Sequence, residues 1–358
     1  MILRILLCMS CVLLTSVVVR AQSTLALSAA GKAKGKHIVF LAGDEEYRSE
    51  EGLPMLAKIL SERHGFKCTV LFGQDADGTI NPDNQKDLPG SEALESADAI
   101  VMLLRFRQWS DATMARFEKA WLAGKPIIAL RTSTHAFNFS AEGKWAKYSW
   151  NSKGEWAGGW GKLVLGETWV SHWGHHKVEA TRGLIDAHAL KTNSILRGVG
   201  ADIFGLTDVY EVALPADATV LVRGLVLATM KPDSDAAVKN KKRRDGGEQP
   251  INEPAMAVAW TREVKNPAGK TNRVFCSTMG DAIDLTNESL RRLVVNSVYW
   301  GLGLDVPAKA DVRYVDGYEP SMYGFKGYRR NFKVADLALG KALPPAPPLP
   351  APEPKKKK

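Results

Sequence analysis

The amino-acid sequence predicts an α/β fold, a doubly wound and mostly parallel sheet flanked by helices. Two observations carry this expectation. Short apolar runs such as residues 37–43 and 126–130 show no alternation of polar and apolar residues, the pattern of strands covered by helices on both faces. Between them lie segments with apolar residues at helical spacing, so strand and helix alternate as in βαβ units.

The first strand covers residues 37–43. Residues 52–64 then form a helix, with Leu53, Leu56, Ile59 and Leu60 on one face and Gly65 placed to end it. Residues 68–72 and 99–104 read as the next two strands. Ser110 or Asp111 can cap a helix in which Met114, Phe117 and Trp121 share a face, and Gly124 closes it. A fourth strand spans 126–130. Later strands are expected at 210–212, 219–227, 257–260 and 273–278. A last helix over 288–300 carries Leu290, Leu293, Val294 and Val298 on one side and stops at Gly301.

The two ends suggest export. Residues 1–21 read as a signal peptide, with Arg4 as the positive start, an apolar run over 5–19 and a small-residue cleavage site at Ala21. That run is short for a membrane span, which needs about 20 residues. The expected protein is therefore secreted or periplasmic, with no membrane span after signal cleavage. A linker over 22–35 leads into a main domain over 36–305. Residues 231–254, polar and charged, read as a loop insertion. Residues 306–342 read as a C-terminal strap containing Tyr314, Tyr318, Tyr323 and Tyr328, and 343–358 as a disordered Pro/Lys tail. The net charge of +9 is concentrated in two basic runs, at 239–244 and 355–358. Both read as solvated loop and tail, so no nucleic-acid partner is expected. Cys68 and Cys276 lie in apolar runs and read as buried thiols rather than a bridge.

Certain residues at the strand ends stand out. They are residues 37–44 (His-Ile-Val-Phe-Leu-Ala-Gly-Asp) and 125–135 (Lys-Pro-Ile-Ile-Ala-Leu-Arg-Thr-Ser-Thr-His). Leu196-Arg-Gly198 followed by Thr207-Asp-Val-Tyr-Glu211 adds to them, as do residues 273–280 and 287–303. In order and spacing, these stretches resemble ThuA-like (trehalose utilisation) proteins of the class I glutamine amidotransferase-like superfamily. The resemblance covers residues 36–305 and implies a flavodoxin-like sheet and a role in sugar metabolism. Amidotransferases carry a Gly-x-Cys-x-Gly elbow after the corresponding strand, where a sharp turn exposes the thiol. Here the elbow reads Ala129-Leu130-Arg131-Thr132-Ser133. A guanidinium has no usable lone pair at neutral pH, so this elbow cannot attack a carbonyl and glutaminase activity is not expected.

Ligands of open α/β sheets bind beyond the carboxyl ends of the strands. That rule nominates His135, with Asp44 or Glu45, to move protons, and Arg131 to hold an anionic or carbonyl oxygen. Thr132, Ser133 and Arg105 become substrate contacts. An internal ion-pair network among the same residues is the alternative. His172, His175 and His176 form a second group. His172 and His175 are the candidate ligands for a divalent metal such as zinc, although no His-Glu-x-x-His pattern is present. Six of the ten tryptophans fall between Trp145 and Trp173, interleaved with glycines. Trp169 and Trp173 can wall a sugar pocket, or the group can anchor a long loop as a satellite core. The leading expectation is an exported enzyme acting on a sugar-type small molecule, with hydrolase, isomerase and lyase chemistry all open. A non-catalytic carbohydrate-binding or envelope-associated module is the alternative.

Overall fold

The computed structural model describes residues 22–345. The expected signal peptide and residues 346–358 of the tail lie outside the described residues. Among the described residues, no helix is long and apolar enough to cross a membrane.

The chain opens with β1 (Thr24–Leu27), inside the stretch expected to be a linker. Leu25 and Leu27 face inward and are buried, and the strand pairs antiparallel with its neighbour along four residues. Two βαβ units follow. β2 (His37–Gly43) is buried along its whole length and leads through α1 (Ser49–His64) to β3 (Lys67–Phe72). β4 (Ala99–Leu104) leads through α2 (Asp111–Leu122) to β5 (Ile127–Leu130). Ser110 caps α2 by accepting the Thr113 N–H, and Gly65 ends α1 at φ 70°, a conformation that suits glycine. A long loop then reaches β6 (Thr181–Ile185), α3 (Ala187–Thr192), β7 (Phe204–Gly205) and β8 (Thr219–Val226). The expected insertion holds a small hairpin of β9 (Asn240–Lys242) and β10 (Glu248–Pro250), anchored by buried Ile251. β11 (Met256–Lys265), β12 (Thr271–Ser277) and α4 (Glu288–Gly301) complete the fold.

Ten strands form one sheet in the order β1-β3-β2-β4-β5-β12-β11-β8-β6-β7. The stretch β3-β2-β4-β5-β12 is parallel. The flanks are antiparallel, β1 on one side and β11, β8, β6 and β7 on the other. The sheet is thus mixed, and the expectation of a mostly parallel one holds only for its centre. The difference shows in burial: β2 is buried at every residue, whereas β8 alternates like a strand wet on one face. Residues 210–212 form no strand, and only a single bridge joins Tyr210 to His172. From β2 the chain passes to β3 on one side and then crosses to β4 on the other. Successive connections therefore leave in opposite directions between β2 and β4, which opens a crevice at their carboxyl ends.

Below that crevice, carboxyl groups are buried without partners. Both side-chain oxygens of Glu50 and both of Asp281 lack a hydrogen bond. Burial, then the neighbouring Glu51, pushes Glu50 from 4.5 up to about 8, and burial with Asp284 pushes Asp281 well up. The folded chain then keeps protons that the unfolded chain releases, so stability must fall as pH rises between about 4.5 and 8. Thermal melts at pH 5 and pH 8 should show this loss. Glu50→Gln should remove part of it, raising stability at pH 8 by roughly 1–3 kcal/mol. An equal pH response in both proteins would show that Glu50 is ionised in the fold.

Candidate functional site

β5 ends in a sharp turn. Arg131 takes φ 43°, rare for a residue with a side chain, and the next residues wind into a tight turn that ends at His135. The elbow shape is therefore present, with a guanidinium at its tip. Arg131 is 0% exposed. Its Nη1 donates to the carbonyls of Asp208 and Thr278, each at 2.7 Å. Nη2 donates to Asp208 Oδ1 at 2.9 Å and to the Tyr47 hydroxyl at 3.1 Å. The Tyr47 and Tyr210 rings flank it, with centroids 4.7 and 3.8 Å away. The expectation that Arg131 grips a substrate oxygen is corrected: both Nη groups are spent on protein, the unpartnered Nε is itself buried, and the side chain forms the floor of the site. Both described cysteines are buried, and burial pushes their thiols up, so neither is a thiolate nucleophile.

Asp44, Thr132 and Ser133 also lie below the mouth. Asp44 is fully buried; its Oδ1 accepts the N–H groups of Glu46 and Tyr47 at 2.7 and 2.9 Å, and its Oδ2 accepts the Thr132 hydroxyl. Burial raises its pKa. The Ser133 hydroxyl donates to Met102 O at 3.0 Å and accepts the Leu104 N–H at 3.2 Å. These bonds tie the ends of β2, β4 and β5 together. Asp44, read as a proton carrier, and Thr132 and Ser133, read as substrate contacts, are all buried and hydrogen-bonded to protein, which places them below the surface that a substrate would meet.

Above this floor lie Glu45 and His135, 6% and 4% exposed, beside the partly exposed Arg105; these three form the mouth of the site. Glu45 Oε1 pairs with Arg105 Nη1 at 2.8 Å, while its Oε2 has no hydrogen-bond partner. Burial, then Asp44, raises Glu45 to about 7. His135 Nδ1 is hydrogen-bonded to the Thr134 hydroxyl at 3.1 Å, and its other ring nitrogen has no protein partner among the described residues. Burial, then Arg105 and Arg131, pushes His135 well below its usual range, so the ring is neutral at pH 7.

A closed rim surrounds these groups. The Arg105 guanidinium lies 4.8 Å from the ring centroids of both Phe106 and Phe325. From Phe106 the rim passes to Trp150 (5.8 Å), Trp169 (6.2 Å), His172 (5.7 Å) and His176 (4.9 Å). It ends at Tyr323 (5.4 Å), two residues before Phe325. The C-terminal strap thus completes the circle, held by Gly324 N–H to Glu46 O and by Arg48 to the carbonyls of Met322 and Gly324, each at 2.8 Å. His135 stands within it, 5.1 Å from Phe106 and 6.0 Å from Trp169. Trp173, by contrast, is 0% exposed and donates its indole N–H to Ile251 O at 2.7 Å. Its expected place in a sugar pocket is corrected, because it packs the core beneath the insertion.

The histidine group separates in the same way. His172 Nδ1 and His176 Nδ1 donate to the two oxygens of Asp208, at 2.7 and 3.1 Å. His176 Nε2 also lies 3.2 Å from Glu46 Oε1, outside hydrogen-bond alignment. Burial alone would raise Asp208, but Arg131 and the two imidazoles outweigh it and hold the carboxyl well below its usual range. Burial would lower His176, yet Asp208 and Glu46 raise it. His175 is exposed, with its backbone N–H bound to Glu179 at 2.7 Å, and it joins neither carboxylate. The pair that meets is His172 with His176, and the expected pairing of His172 with His175 is corrected. Asp208 and Tyr210 were missed as site residues. The signal was the stretch 207–211, which places an acid and a phenol two residues apart outside any strand.

No family model and no curated protein matches the chain. Solved structures similar to it include two described as ThuA-like. A ThuA-like protein from Parabacteroides merdae matches with a TM-score of 0.45 and 14% identity, over 77% of this chain and 92% of its own. A ThuA-like protein from Bacteroides uniformis matches with a TM-score of 0.44 and 14% identity, over 76% and 94%. Both carry the family name that the strand-end residues suggested.

The two tryptophans give a direct test of the rim. Trp173→Phe should lower the melting point, from the loss of a buried hydrogen bond and some packing worth roughly 1–3 kcal/mol, and leave ligand affinity unchanged. Trp169→Ala should do the reverse. Equal effects of the two on binding, measured by calorimetry, would mean that the rim does not mark the ligand site.

Proposed function

We propose that this chain is an exported ThuA-like enzyme that moves protons on a carbohydrate or sugar derivative. His135 acts as the base and Glu45 as the acid. The observation that carries the reading is the His135 ring: a neutral imidazole with one nitrogen fixed by Thr134 and the other unpartnered, inside a closed aromatic rim. A neutral imidazole accepts a proton, and a carboxyl raised to about 7 still holds one to give. Arg105, the partly exposed guanidinium of the mouth, is placed to hold a carbonyl or anionic oxygen while Glu45 orients it. Aromatic edges and faces suit the apolar faces of sugar rings. In this reading the parallel half of the sheet is a doubly wound, flavodoxin-like unit, and the mouth lies at its switch point. The buried floor of Arg131, Asp44 and Asp208 keeps the mouth in shape and touches no substrate.

The test is a screen of the mature protein against glycosides and keto-sugars, reading product formation and thermal stabilisation separately. On the substrate found, His135→Ala should lower kcat by a factor of about 10²–10⁴ with little change in KM. The wild-type rate should fall as pH rises through about 7, where Glu45 loses its proton, and Glu45→Gln should lack that limb. Full turnover by His135→Ala would sink the assignment. Stabilisation by sugars without product would favour a carbohydrate-binding module, a reading the aromatic rim also suits.

A further inference from the structure

Part of the rim has the composition of a metal centre. His172, His176 and Asp208 each offer one ligand atom, and these atoms all lie within 4.8 Å of one another. The geometry is close to what an ion needs. Ligands bonded at about 2.0–2.2 Å around a tetrahedral ion stand roughly 3.2–3.5 Å apart. Here the two imidazole Nδ1 atoms are 2.7 and 3.1 Å from the carboxylate oxygens they bond. The His172 proton occupies the place where a metal bond to Asp208 Oδ2 would run; for an ion to enter, that short pair must open slightly and the widest separation in the set, within 4.8 Å, must close.

The surroundings match as well. Asp208 Oδ2 bonds only His172, whereas Oδ1 is also held by Arg131 Nη2 at 2.9 Å. An ion can therefore take Oδ2 while Arg131 keeps the carboxylate in place. An imidazole ligating through Nδ1 carries its proton on Nε2. For His176 that proton then faces Glu46 Oε1, 3.2 Å away, which explains a buried Nε2 that has no hydrogen bond without an ion. A carboxylate behind a ligating imidazole is the usual outer support of a metal site. Asp208 is sealed at 0%, while the His172 and His176 side chains are 36% and 23% exposed. The ion would have protein on one side and an open position on the other.

We propose that His172, His176 and Asp208 form a two-histidine, one-carboxylate site for a divalent transition-metal ion of the zinc class, open toward the rimmed mouth. Imidazole and carboxylate ligands with an open position suit zinc, cobalt or manganese, and such an ion polarises a substrate oxygen. The site deepens the sugar-enzyme reading by supplying a cofactor, yet its ligand set stands apart from His135 and Glu45 and is tested by binding alone.

The chain is stripped with a chelator and titrated with zinc by calorimetry, and with cobalt(II) by visible absorption. One equivalent should bind, raise the melting point and give cobalt bands of a nitrogen- and oxygen-ligated ion. His172→Gln and His176→Ala should each weaken zinc at least tenfold, with metal-free melting points that stay near the parent's. His175→Ala should bind like the parent, because His175 is exposed beside the site and outside it. No binding by the parent, or parental affinity in both variants at His172 and His176, would overturn the proposal. Should His172→Gln fail to fold, His176→Ala and the cobalt spectrum decide. Binding without turnover would leave this site standing and remove only the catalytic reading.

Discussion

The Arg131–Asp208 pair is the interaction on which the rest of the site depends. Two opposite charges, 2.9 Å apart and both fully buried, cannot be separated without leaving an uncompensated ion inside the protein. Breaking such a pair costs roughly 3–5 kcal/mol. The pair spans distant parts of the chain. Arg131 stands at the end of β5, Asp208 in the segment after β7, and the same guanidinium holds Thr278 just past β12. It therefore fixes the parallel centre of the sheet to the segment that presents Tyr210, and through Asp208 it fixes both rim histidines.

A second constraint acts from above. Arg48, at the start of α1, reaches carbonyls of the strap, and Glu51 one turn on binds Ser321 and Arg329. The strap is irregular because its own side chains form no repeating face; its order comes from these fixed partners. Tyr323 is buried against Tyr47, which in turn accepts a hydrogen bond from Arg131. Floor and cover are thus one connected network, and the mouth lies where its polar groups run out of partners. There His135 and Glu45 each keep one polar atom without a protein partner among the described residues, which the proposed acid and base roles require.

Much of the scaffold was legible. Uninterrupted apolar runs mark β2, β4 and β5 because both faces of those strands are covered, and the Ser110 cap and Gly65 stop mark helix ends by local chemistry. β1 was hidden because four residues, Thr-Leu-Ala-Leu, bury only alternate positions at an edge. β6 and β7 were hidden because short strands pairing across distant segments leave no periodic signal. In the site, the strand-end rule gathers its candidates at the carboxyl ends of β2, β4 and β5 and carries no information on their depth. Sequence order places Asp44 and Glu45 side by side, yet burial and backbone hydrogen bonds take Asp44 into the floor and leave Glu45 with a free oxygen. The histidines failed differently. A helical spacing favours no one pair over another, whereas the turn after Trp173 brings His176 against Asp208 and turns His175 outward.

The elbow makes the same point about depth. A residue with a side chain held at φ 43° stores roughly 1–2 kcal/mol of strain, and a glycine would relieve it. The strain persists because the bend is what delivers the Arg131 side chain inward, onto Asp208 and between two tyrosine rings. A small nucleophile at such a tip faces substrate, whereas a long guanidinium at the same tip reaches past the mouth and becomes its foundation. In the proposed reading, reactivity at this end of the sheet is thereby displaced along the chain, from the bend to its last residue, His135. The turn that serves one chemistry through its tip can then serve another through its exit.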